Sequence, residues 1–240
     1  MKLLKKWDMD CERRRKLQLI LNHLHRKEKG LMWQIFSIGK FGYAVSDFLN
    51  HSEIQSNHAV LKNEYELFIP SNLSGVLFIA NYQSISLLRQ LDVEVHKQNI
   101  PFIPVVLDSP LLVVGPVIIP GNEGCYHCYH QRMMQHHPNA ELTRSVQQYY
   151  NDQQIAGVQG YHPADVVLIG SLLKRIIECP ESYQGKFFLL NEVTREMKNS
   201  CVTGVHSCPR CGLQRDEATR GYLDLAQHFR IQNGLIAEEV

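Results

Sequence analysis

The sequence has almost no excess of one charge. In 240 residues, 25 Lys and Arg stand against 24 Asp and Glu, a formal net charge of +1 with histidine neutral. Such a chain carries no whole-molecule field that draws it to nucleic acid or to an anionic membrane, so neither is expected as its main partner. It also lacks an apolar run fit to cross a bilayer: the most hydrophobic stretch, residues 100–120, is broken by Asp108 and by five prolines, Pro101 and Pro120 among them. No secretory signal opens it, and no internal repeat or low-complexity linker divides it. Its seven cysteines are an odd number, and four of them fall in two C-x-x-C pairs. That usage suits a reducing compartment better than a disulfide framework, and a cytoplasmic location is expected. An apolar fraction of 44% and a charged fraction of 20% are those of a globular chain long enough to bury a core.

What the sequence does have is a pair of knuckles, Cys125/Cys128 and Cys208/Cys211. A two-residue gap in a tight turn lets both sulfurs of a pair aim at one point, and two such pairs close a tetrahedral site around Zn²⁺. Four thiolates leave no coordination position open, so a zinc held this way is structural and activates no water. Two redox dithiols, or two unrelated pairs, are the alternatives. Gly124 before one pair, and Pro209 and Gly212 in and after the other, favour the metal. Four histidines, His127, His130, His136 and His137, follow the first knuckle, but with four thiolates available none is expected as a ligand.

Residues 1–30 carry ten Lys and Arg against four Asp and Glu, with the Arg13-Arg14-Arg15-Lys16 run just before Leu17, Ile20, Leu21 and Leu24 at helical spacing. This predicts a basic amphipathic helix as an extension. Residues 31–214 are expected to form the main α/β domain and 215–240 a charged tail with one helix. Within the main part, residues 32–38 read as a strand, Gly39 to Gly42 as a glycine turn, and Ala44, Val45, Phe48 and Leu49 as the start of a helix. The full G-x-G-x-x-G fingerprint is missing. Gly39 and Gly42 secure a tight turn but no pyrophosphate cradle, and Glu64 or Glu66, beside a possible strand at 65–69, would be the acidic residue such a site needs. Strands are further expected at 75–80, 101–107 and 186–191, two strand pieces over 111–119 around Gly115-Pro116, and helices over 84–98, 141–153 and 163–178. Residues 192–199 read as a polar connection. Strands alternating with helices point to an α/β sheet covered on both faces.

The segments Phe102-Ile-Pro-Val-Val-Leu-Asp108, Val114-Gly-Pro-Val-Ile-Ile-Pro-Gly121 and Cys125-Tyr-His-Cys-Tyr-His-Gln-Arg132, in that order, resemble the ThiF-like (ubiquitin-activating-enzyme-like) proteins. The similar branch is the one that partners YcaO proteins in making thiazole/oxazole-modified peptides. There a Gly-Pro, Pro-Gly segment leads into a zinc site and a late Cys-Pro-x-Cys-Gly closes it, as Cys208-Pro-Arg-Cys-Gly212 does here. The resemblance spans residues 32–212 and puts Gly39 and Gly42 where the family has its nucleotide loop. It implies a Rossmann-like ThiF-type sheet with helices on both faces, a four-cysteine zinc site and a homodimer.

Adenylating members of that superfamily carry a fuller glycine loop, an Asn/Arg-containing segment after the second strand and an Asp at a later strand end. Here that strand runs into Ile79-Ala-Asn-Tyr-Gln83 without a carboxylate, so ATP is not expected as a cofactor. Cys11, Cys179 and Cys201 have nothing nearby to lower their pKa, and no catalytic residue is assigned. The expectation is a non-catalytic subunit that helps present a precursor peptide to a YcaO-type cyclodehydratase. The alternative is a ThiF-type adenylyltransferase acting on a peptide or sulfur-carrier carboxylate, and a zinc-ribbon interaction protein outside peptide modification is a third. The peptide-binding winged-helix module common in this branch is expected to be absent or much shortened, because only about thirty residues precede the first core strand.

Overall fold

The structure, a computed structural model, describes residues 32–52, 54–61, 67–122, 124–153, 160–205 and 208–212, with the backbone alone for 150–153. The amino-terminal extension with Arg13–Lys16 and Cys11, the tail from 215 onward, and Glu64 and Glu66 all lie outside the described residues.

The elements run β1 (Trp33–Ile38), α1 (Gly39–Asn50), β2 (Ser56–Val60), β3 (Gly75–Ala80), α2 (Ile85–Gln98), β4 (Phe102–Asp108) and β5 (Leu111–Val114). They continue with α3 (Tyr126–His136), α4 (Ala140–Gln153), α5 (Pro163–Glu178), a 3₁₀ turn (Pro180–Tyr183), β6 (Lys186–Asn191) and β7 (Met197–Cys201). All seven strands form one sheet in the order β2-β1-β3-β4-β5-β6-β7. The first four are parallel, and β5, β6 and β7 each run antiparallel to the strand before them.

The inner parallel strands β1, β3 and β4 are buried almost throughout, and β3 reads as an unbroken apolar run. Gly75–Ala80 is buried at every position, and its alternate residues enter opposite cores. On one face Val76 and Phe78 pack with Leu87, Leu88, Leu91 and Val95 of α2 and with Tyr126 and Tyr129 of α3. On the other, Leu77 and Ile79 pack with Phe41, Val45 and Leu49 of α1 and with Ile169, Leu173 and Ile176 of α5. The 3.6-residue period of those positions makes α1, α2 and α5 amphipathic. Helix α5 starts cleanly, with Pro163 at its first position and the His162 ring accepting from the Ala164 N–H at 3.2 Å.

Three expectations are corrected. The second strand is Ser56–Val60, and residues 67–69 are not a strand. Ser-Asn-His-Ala-Val carries no apolar alternation because it is an edge strand with half its positions exposed. The polar connection over 192–199 ends early, since Met197 begins β7, another edge strand exposed along its whole length. Gly39 to Gly42 is no turn but the first turn of α1, which follows β1 without a loop. The break at Gly115-Pro116 is present; beyond it Val117 and Ile118 bridge to Gln184 and Phe102. Because β2 lies on one side of β1 and β3 on the other, strand order reverses at the carboxyl ends of β1 and β3, where open α/β sheets bind ligands.

Candidate functional site

Cys125 is the residue before α3 and Cys128 lies in its first turn, so the short helix fixes their spacing. Cys208 and Cys211 sit in a turn closed by the Gly212 N–H donating to the Cys208 carbonyl at 2.9 Å. The four sulfurs converge. Cys125 Sγ is 3.7 Å from Cys128 Sγ and 3.5 Å from Cys208 Sγ, Cys128 Sγ is 3.3 Å from Cys211 Sγ, and all four lie within 4.8 Å of one another. A tetrahedral ion bound at ~2.3 Å would set sulfur–sulfur edges of about 3.8 Å, close to these distances. Among the described residues this group holds four cysteines and no histidine, and it can hold a metal ion. Its closed thiolate shell would leave no position for substrate.

Burial pushes the Cys125 thiol well above its ordinary range and the Cys128 thiol up to about 12. Burial acts on Cys208 in the same sense, but the N–H groups of Cys211 and Arg210 and the adjoining thiols bring it down to about 7. Backbone amides also serve the sulfurs: Val205 N–H donates to Cys128 Sγ at 3.2 Å and Arg210 N–H to Cys208 Sγ at 3.5 Å. Donors aimed at sulfur favour the thiolate a metal requires.

Two residues hold the knuckles together: Asp92, which the sequence did not flag, and Arg132, which ends the segment that carried the family resemblance but was given no role. Asp92, buried on α2, accepts from the Tyr126 N–H at 3.3 Å beside the first knuckle and lies 3.6 Å from the Arg210 guanidinium inside the second. Burial raises its pKa, opposed by the charges of His96 and Arg210 and by the Tyr126 N–H. The signal available was an acid on the apolar stripe of Leu88, Leu91 and Val95. Arg132 on α3 donates to the carbonyls of Thr203 at 2.8 Å and Gly204 at 3.2 Å, clamping the segment that follows β7. Gly124, at φ +93°, brings the chain so close to that segment that a Cβ would meet the Val202 oxygen at 2.7 Å.

At the strand-order reversal, Gly39 has φ +75° and an added Cβ would lie 2.2 Å from Asn81 Oδ1. The buried Asn81 side chain thus occupies the space over the first turn of α1. A Cβ at Gly42 would meet the Ile79 carbonyl at 2.7 Å, so this glycine serves helix–strand contact. Among the described residues no side-chain hydrogen bond caps the amino end of α1. Of the four histidines, His130 is buried beneath α4, its Nε2 3.4 Å from Gln147 Oε1, and its pKa is lowered chiefly by burial. Cys179 is half-buried and Cys201 exposed, both apart from the cluster.

No protein-family model matches the sequence, and no curated protein matches it. Solved structures do match in fold. The heterocyclase TruD superposes with a TM-score of 0.58 at 18% identity, over 84% of this chain and 32% of TruD. The E. coli microcin synthetase McbBCD complex matches at 0.55 and 11% identity, over 75% of this chain and 69% of that one. E. coli MccB with AMPCPP and MccA matches at 0.53 and 16% identity, over 81% and 69%. At these identities the likeness is one of fold, and the chain spans about a third of TruD's length. Among the described residues, no helix is long and apolar enough to cross a membrane.

Proposed function

We propose that this chain is a Rossmann-like, ThiF-type scaffold subunit of an azoline- or azole-forming complex in the cytoplasm, built around a structural four-cysteine zinc site. It presents a precursor peptide to a YcaO-type cyclodehydratase, which activates the peptide backbone with ATP. The fold shared with a heterocyclase and with a microcin synthetase complex supports the setting. The observation that carries the non-catalytic part is the filled notch: Asn81 lies against Gly39 where the switch point of the sheet would admit a nucleotide, and β3 ends without a carboxylate to hold Mg²⁺.

Cys125, Cys128, Cys208 and Cys211 would hold the zinc, which supplies cross-linking and no reaction chemistry. Asp92 and Arg132 set the two knuckles against α2 and α3, so the half of the sheet beyond β4 keeps a fixed position relative to the parallel half. A rigid body of this kind serves a partner by orienting a bound peptide. Co-expression with a tagged YcaO-type cyclodehydratase tests the role. Stoichiometric co-purification and a raised rate of peptide dehydration are expected; no complex and no rate change would refute it.

The other role, an adenylyltransferase, is favoured by the fold shared with MccB, solved with AMPCPP and MccA. ATP–pyrophosphate exchange by the isolated chain with a candidate acceptor would establish it.

A further inference from the structure

Between the sheet and the α3–α4 pair lies a cavity of about 160 Å³ that neither the metal site nor the notch uses. On this face α2 packs on β4, and α3 and α4 pack on α2 and on each other. Val106, Val113, Leu189, Tyr129, Met133 and Met134 supply apolar walls.

One wall is polar and ordered. The His130 Nε2 faces Gln147 Oε1 at 3.4 Å, the Gln147 amide nitrogen donates to Gln83 Oε1 at 3.1 Å, and the Gln83 amide nitrogen donates to the Tyr126 hydroxyl at 3.3 Å. Every donor in this relay points the same way, and the hydroxyl proton of Tyr126 is the donor left over at its end. Asp108, exposed at the end of β4, stands at the rim.

We infer that this cavity is a binding site for a neutral five- or six-membered ring bearing one hydrogen-bond acceptor. Size sets the first limit, since a cavity of ~150 Å³ in another protein takes up benzene. Charge sets the second: among the described residues no Lys or Arg lines the space, burial lowers the pKa of His130, and His137 and Asp108 are exposed, so an anion or a cation would shed its water inside without a buried counter-charge. The Tyr126 hydroxyl sets the third, because a ring with an acceptor satisfies a donor that a plain hydrocarbon leaves unpaired. Met133 and Met134 let the walls adjust to rings of different outline. The inference stands independently of the scaffold role.

The test is methyl NMR on the full chain labelled at methionine, titrated with 2-methylthiazole and with toluene. Saturable shifts are expected at Met133 and Met134 and not at Met32 or Met197, which are exposed to the same degree as Met133 and report non-specific binding. Thiazole should bind about five- to tenfold more tightly than toluene, and Tyr126→Phe should erase that preference while leaving toluene binding in place. Val113→Trp should abolish both, with unchanged Met32 and Met197 signals certifying its fold. A capped peptide containing the same thiazole separates the sources: tighter binding that Asp108→Ala weakens assigns the ring to a peptide, and equal affinity assigns it to a free small molecule. Shifts at Met32, Met133, Met134 and Met197 alike, no shift at Met133 and Met134, or a Val113→Trp variant that binds as before would overturn the site.

Discussion

Replacing Cys208 with serine removes one of four sulfurs and one of the two links between segments 83 residues apart. The loss can be bounded from that separation. If the ion stayed on the unfolded wild-type chain it would act as a cross-link, and closing a loop of that length is worth about 4.5 kcal/mol. If the ion leaves on unfolding, the folded state loses its binding free energy instead, which for four-ligand zinc peptides is about 10–16 kcal/mol. The smaller figure is therefore a floor for a variant that no longer holds the ion. In a chain of this size 1 kcal/mol moves the midpoint by roughly 2–4 °C, so a Cys208→Ser protein without the ion should melt at least about 9–18 °C below wild type. Scanning calorimetry reads the midpoint, and elemental analysis of the same samples reads the metal. Cys201→Ser, exposed on β7 and outside the cluster, is the control and should stay within about 0.5 kcal/mol of wild type. A Cys208→Ser protein that has lost the metal and still melts within a few degrees of metal-loaded wild type would refute the reasoning.

Three further outcomes are expected. Gly124→Ala should cost about 2–3 kcal/mol in chemical denaturation, because it adds a Cβ at φ +93° that meets the Val202 oxygen at 2.7 Å; a neutral effect would mean that this loop yields freely. Arg132→Ala should weaken metal binding about tenfold in a competition assay, since it frees the carbonyls of Thr203 and Gly204 that fix the approach to Cys208, and unchanged affinity would remove Arg132 from the site. Metal uptake should release protons: burial holds Cys125 and Cys128 protonated at neutral pH in the metal-free protein, so binding expels at least about two protons and apparent affinity rises at least about hundredfold per pH unit. Lowering the pH therefore weakens binding, and calorimetric titration in buffers of different ionisation enthalpy counts the protons; a count of zero would contradict the buried thiols.

Much of this was legible because it is local. The residues of α5 and β6 carry their own period and punctuation, from Pro163 through Ile177 and from Lys186 to Asn191, and their bounds agree with the sequence reading. The convergence of the four sulfurs followed from two C-x-x-C spacings and a sheet able to bring distant segments together. The edge strands β2 and β7 were not legible. Their residues face water, so Ser56–Val60 and Met197–Cys201 carry no apolar pattern, and only pairing with β1 and β6 makes them strands. Asp92 acts across 34 residues of sequence, a distance at which no local motif speaks, and Arg132, although it ends the quoted Cys125 to Arg132 segment, meets its carbonyl partner 71 residues away. The cavity is built from β4, β5, β6, α3 and α4 together and has no sequence signature at all. The glycines misled in part: Gly39 and Gly42 suggested a turn, but their lack of a Cβ serves close packing against Asn81 and Ile79.

The central claim is that this body orients a peptide while a partner spends the ATP. Following pyrophosphate exchange and nucleotide hydrolysis by the chain alone, by the YcaO-type partner alone and by both together, with precursor peptide in each case, tests it most directly. The account predicts no nucleotide turnover by the isolated chain and a faster, peptide-dependent turnover by the pair than by the partner alone. Pyrophosphate exchange by the isolated chain, or a partner indifferent to its presence, would contradict it.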